Sequence, residues 1–80
     1  MMPLPPRQIT VLRYLGDRKS ATTRNVSRDL LMNRTAARNA LVGLTAKGLV
    51  LADRSTFPMS YAVTEIGSAV IAAANEREPS

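Results

Sequence analysis

The chain has 80 residues, with 11 lysines and arginines against 6 acids for a net charge of +5; at this length it is expected to form one domain burying only about 60% of its unfolded surface. It has no cysteine and no histidine, which removes disulfides, thiolate metal sites and the commonest general base; no two acids form a convincing catalytic pair, so neither an enzyme nor a bound cofactor or metal is expected. The charge is uneven, because from Arg18 to Ala52 seven bases stand against the single acid Asp29, a net of +6, and such a segment is the footprint of a polyanion binder.

Met1 to Pro6 is a proline-rich lead-in, with Pro5 or Pro6 suited to a first helical turn. MMPLPPRQ lacks the apolar region of a signal peptide, and no apolar run approaches the ~20 residues that span a bilayer, so no membrane partner and a cytoplasmic location are expected. From Arg7 to Gly16 the spacing predicts a helix with Ile9, Leu12 and Leu15 on its core stripe and Val11 and Tyr14 on the far side. Arg18 to Ala21 is a polar connector, with a very short strand expected at Ala21–Thr22. Thr22 is a good N-cap for a second helix running to about Leu31, burying Val26 and Leu30. Arg24 and Arg28 share a face of it as an i, i+4 pair of like charges, whose mutual cost a nearby anion would remove.

The chain turns at Leu31-Met32-Asn33 into a third helix, capped by Asn33 and stopped by Gly48. Ala37, Ala40, Leu41 and Leu44 fall on its inner stripe. Thr35, Arg38, Asn39 and Val42 fall on the opposite side, with Arg34 at the edge, and guanidinium and amide groups are those that pair with base edges and phosphates. Two helices joined by so tight a turn, the second with a cationic outer face, make a helix-turn-helix. Gly43 has no local reason to stand inside a helix, where it costs up to ~1 kcal/mol relative to alanine.

After Gly48 the period changes. Leu49–Ala52 and Met59–Val63 read as strands, joined by the turn chemistry of Asp53–Pro58, a hairpin with the cation Arg54 at its tip. Thr64 then caps a fourth helix to about Asn75, with Ile66, Ala69, Val70 and Ala73 on one side and Ile71 on the other. The domain is expected to span 1–75, with 76–80 a disordered tail. The fold class is mainly α with a small β-hairpin (α+β), in the order helix, helix, helix, strand, wing, strand, helix around a three-helical core. Val11, Tyr14 and Ile71, apolar and turned away from that core, would give a modest self-association surface, hence a homodimer through the first and last helices.

Two stretches, TRNVSRDLLMNRTAARNALVGLTAKGLV from Thr23 to Val50 and YAVTEIG from Tyr61 to Gly67, resemble the winged helix-turn-helix of MarR-like transcription regulators. The resemblance implies a sequence-specific double-stranded DNA-binding protein, with Arg34, Thr35, Arg38 and Asn39 in the major groove. It implies a wing contact by Arg54, and backbone contacts by Thr22, Thr23, Arg24 and Arg28. Arginine can pair bidentately with guanine and asparagine with adenine, while the remaining cations position the protein. The family dimerises through long helices flanking this core, which have no counterpart in this sequence, so neither its dimer interface nor its ligand pocket carries over and no small-molecule ligand is inferred. The alternatives are a winged-helix module for protein–protein contact and a DNA-binding accessory factor in replication or recombination.

Overall fold

The computed structural model describes residues 4–18 and 20–77. Its elements are α1 (Pro6–Gly16), β1 (Ala21–Thr22), α2 (Thr23–Asp29), α3 (Arg34–Ala46), β2 (Val50–Asp53), β3 (Ser60–Val63) and α4 (Glu65–Arg77). Each start and stop has a local cause. Thr22 and Asn25 form a reciprocal capping box at α2, with Asn25 N–H donating to the Thr22 hydroxyl and Thr22 N–H to Asn25 Oδ1, both at 3.1 Å. Asn33 Oδ1 accepts from the N–H of Ala36 at 2.7 Å and so caps α3. Gly48 ends α3 with φ +77°, a conformation glycine enters without a Cβ penalty.

The turn between α2 and α3 begins earlier than the sequence suggests. α2 stops at Asp29, and Leu31 takes the left-handed conformation at φ 53°. Met32 N–H then reaches back to the Ser27 carbonyl at 3.1 Å, and the Ser27 hydroxyl donates to the Met32 carbonyl at 2.6 Å. This is a Schellman-type closure built on leucine instead of glycine.

The three strands form an antiparallel sheet in the order β1-β3-β2. β3 pairs on one edge with β1 (Ala21 opposite Tyr61) and on the other with β2, from Val50 opposite Val63 to Asp53 opposite Ser60. The short strand expected at Ala21–Thr22 therefore ties the start of the helix-turn-helix to the hairpin. The core lies between the helices and the inner face of this sheet, and comprises Val11, Leu12, Leu15, Ala21, Val26, Ala37, Ala40, Leu41, Leu44, Leu49, Val50 and Tyr61.

Three expectations are corrected by this packing. Val11 is fully buried, because α1 is packed by α3, β3 and α4 together and so needs a wider apolar arc than one stripe. Tyr14 is half-buried, its ring under the Arg18 guanidinium and its hydroxyl bonded to Asp29. On α4 the inward face is Gly67, Val70, Ile71 and Ala74, whereas Ile66, Ala69 and Ala73 are exposed. Ile71 packs onto the core, with its Cδ1 only 2.7 Å from where a Cβ on Gly16 would stand. The reason is Gly67, whose bare Cα lies against the Leu49 carbonyl; turning Ile66 inward would lift the helix off that contact. The self-association expected of Val11, Tyr14 and Ile71 thereby loses its basis, since these side chains are engaged within one chain. Helix α4 also continues through Glu76 to Arg77, into the stretch where a disordered tail was expected, and residues 78–80 lie outside those described.

Candidate nucleic-acid interface

The outward face of α3 and the hairpin enclose an open groove lined by Thr23, Arg34, Thr35, Arg38, Val42, Thr45, Ala46, Ala52, Arg54, Met59 and Tyr61. Five of the residues singled out in the sequence (Thr23, Arg34, Thr35, Arg38 and Arg54) come together around it. The periodicity of α3 explains the arrangement: with Ala37, Ala40, Leu41 and Leu44 all buried, the residues between them must face out, and Arg34, Arg38 and Val42 stack at four-residue intervals on one side. Arg34, Thr35, Arg38 and Asn39 are exposed, and Val42 keeps 52% of its surface accessible. Among the described residues, none of Arg34, Arg38 and Arg54 has a carboxylate partner. Three uncompensated guanidinium groups on one concave surface attract anions and repel cations.

The other predicted residues stand outside the groove lining. Asn39 lies one position round the helix from Arg38. The Thr22 hydroxyl is already an acceptor in the capping box, and Arg24 is exposed on α2. Arg28 is committed within the chain: its Nε donates to Asp29 Oδ1 at 3.0 Å, while Arg18 lies 3.2 Å from Asp29 Oδ2. The Tyr14 hydroxyl donates to the same carboxylate. That hydrogen bond, followed by the one from Arg28, holds the Asp29 carboxyl below its usual range. Desolvation, and then the bond to Asp29, push the Tyr14 phenol up. Asp29 thus clamps α1 to α2 and compensates two cations. As the one acid in the +6 segment, it could have been suspected of such a role from the sequence.

Gly43 now has a neighbour. Gln8 of α1 lies across it, with Nε2 2.6 Å from where a Cβ would stand, and Gln8 Oε1 accepts from Lys47 Nζ at 2.8 Å. In the hairpin, Asp53 Oδ1 accepts from the Ser55 hydroxyl at 2.6 Å and from its N–H at 2.9 Å, bonds that hold its carboxyl low. The carboxylate is thereby occupied by Ser55, leaving Arg54 to the groove. Among the described residues no three His, Cys, Asp or Glu side chains converge, and no helix is long and apolar enough to cross a membrane.

This geometry is that of a winged helix-turn-helix. The sequence matches no family profile and no curated protein, whereas its fold is shared with MarR-family structures. It superimposes on a MarR family protein from Bacillus stearothermophilus with a TM-score of 0.85 at 20% identity, over 95% of this chain and 54% of that one. The transcriptional regulator BldR from Sulfolobus solfataricus gives 0.83 at 22% identity, over 95% and 56%. Lactococcus lactis ZitR in complex with DNA gives 0.81 at 21% identity, over 92% and 52%. The chain therefore has the MarR-type winged-helix fold and spans about half the length of the structures it matches.

Proposed function

We propose that the protein binds double-stranded DNA sequence-specifically and regulates transcription, with α3 in the major groove and the hairpin as its wing. The observation that carries this reading is the groove in which Arg34, Arg38 and Arg54 gather without carboxylate partners among the described residues. In this docking Arg34 and Arg38 present bidentate donors to guanine, Asn39 pairs with adenine, and Thr35 hydrogen-bonds to either a base edge or a phosphate. Thr22, Thr23, Arg24 and Arg28 meet the phosphate backbone and fix the register, and Arg54 enters the adjacent minor groove or meets its phosphates. A cytoplasmic location goes with this reading.

Selection of bound sites from a random duplex pool at stated salt tests it. An enriched motif is expected, and a palindromic one would report two copies per site. Arg38→Ala should cost ~1–3 kcal/mol on that motif alone, whereas Arg24→Ala should weaken all sequences alike and flatten the salt dependence. An absence of enrichment, with both variants binding duplex DNA like the parent, would refute the proposal in favour of a protein-interaction module.

A further inference from the structure

Phe57 is the sole phenylalanine of the chain, and at 101% relative exposure its side chain is fully open to solvent. It stands at the tip of the hairpin. The last paired residues are Asp53 and Ser60, so 54–59 project beyond the sheet. The projecting segment is folded upon itself through the Asp53–Ser55 bonds and a Thr56 hydroxyl donating to the Pro58 carbonyl at 3.2 Å. Between Val50 and Val63 there is one acid, Asp53, and one base, Arg54, so the hairpin is neutral overall and its projecting segment carries a fully exposed aromatic ring. Arg54 faces the groove beside Arg34 and Arg38, and Phe57 follows it by three residues toward the tip.

Resting on the DNA-binding reading, we infer that Phe57 is an apolar wedge of the wing, inserted into the minor groove next to the major groove that α3 occupies. Large apolar side chains at such positions partly unstack a base step and kink the duplex, which costs least at flexible pyrimidine–purine steps. The residue would thus select DNA by deformability, at base pairs that Arg34, Arg38 and Asn39 do not touch. Its contribution would also differ in kind from that of Arg54. A ring sliding between bases displaces no counterions, so its share of affinity is independent of salt, whereas a guanidinium on a phosphate steepens the salt dependence.

The test compares the parent, Phe57→Ala, Phe57→Leu and Arg54→Ala on a duplex selected by the parent, by titration at several salt concentrations and by end-to-end fluorescence transfer for bending. Phe57→Ala is expected to bind roughly 10- to 100-fold more weakly with an unchanged salt slope, matching loss of a buried phenyl group. It should also bend the duplex less, with Phe57→Leu intermediate, while Arg54→Ala lowers the slope. Replacing the pyrimidine–purine step under the wing with an A-tract should abolish the difference between the parent and Phe57→Ala. Equal affinity and equal bending by the parent and Phe57→Ala would overturn this inference alone. Failure of the parent to bind any duplex would overturn it together with the DNA-binding reading.

Discussion

Gly67→Ala should destabilise the domain although it replaces a glycine inside a helix by the best helix former. A Cβ at Gly67 would stand 2.2 Å from the Leu49 carbonyl oxygen, 2.9 Å from Val63 Cγ1 and 3.1 Å from the Leu49 carbonyl carbon. Carbon–oxygen contacts settle at about 3.3 Å or more, so α4 or the end of α3 would have to retreat by roughly 1 Å. Little there can yield. The Leu49 oxygen is backbone, Leu49 itself is buried, and the same oxygen accepts the N–H of Thr64 at 3.0 Å. The Thr64 hydroxyl adds a second tie, donating to the Gly48 carbonyl at 2.8 Å while accepting from Gly67 N–H at 3.1 Å. Overpacking of this kind costs about 1–3 kcal/mol, and helix propensity returns up to ~1 kcal/mol. With the full return the net loss is up to about 2 kcal/mol, as much as roughly 15 °C in Tm for a domain of this size.

Gly43→Ala is the control, because the atom nearest its Cβ, at 2.6 Å, is the far end of the Gln8 side chain. Gln8 can swing aside, giving up an exposed bond to Lys47 worth little, and the propensity gain remains. Gly43→Ala is expected to lie between neutral and ~1 kcal/mol more stable than the parent. Urea unfolding of the three proteins decides the matter. If Gly67→Ala were as stable as Gly43→Ala, the close docking of α4 on Leu49 would be refuted.

Leu31→Gly should raise stability by about 1 kcal/mol, because a leucine in the left-handed region at φ 53° carries a steric cost that glycine avoids; its side chain is 92% exposed and loses no packing. A lower urea midpoint would contradict this. Asp29→Asn should lower the unfolding temperature at pH 7 and flatten the acid side of the stability–pH curve. The carboxyl of Asp29 is depressed in the folded state, so its contribution is present above its unfolded pKa of about 4 and is lost as pH falls through the folded value; an unchanged acid limb would argue against the clamp. Arg28→Ala should weaken DNA binding less than Arg38→Ala on the selected site and should also lower the unfolding temperature, because Arg28 holds Asp29; the reverse order of DNA affinities, by titration, would refute this.

Much of the helix-turn-helix was legible because its signals are local. Thr22 and Asn33 cap their own helices three residues on, Gly48 reverses its own backbone, and the four buried positions of α3 follow from its periodicity alone. Such features require nothing from distant chain. The misreadings share the opposite property. Val11 looked surplus to one apolar stripe because the stripe's width depends on how many elements pack on α1. Ile66 looked like core and Ile71 like surface because the rotation of α4 is set by a carbonyl at Leu49, far from either in sequence. A glycine carries no side chain to enter a periodicity count, so Gly67 gave no sign of its role and Gly43 stood out only by its helix cost, without naming the neighbour it makes room for.

The same distinction bears on the arginines. Sequence spacing ranks Arg24, Arg28, Arg34 and Arg38 alike as cations on outward faces. In the folded chain they differ by what competes for them. Arg28 shares the Asp29 carboxylate with Arg18 and Tyr14, so an incoming phosphate must offer more than that carboxylate already gives. Arg34 and Arg38, beside Arg54, face a groove where, among the described residues, no carboxylate competes. Their mutual repulsion is relieved only by an anion from outside, so the full electrostatic gain of contact goes to the ligand and none is spent breaking an existing pair. On the proposed reading, free cations at the groove and a compensated one behind it would give a polyanion a preferred seat against α3, where contact with base edges would follow.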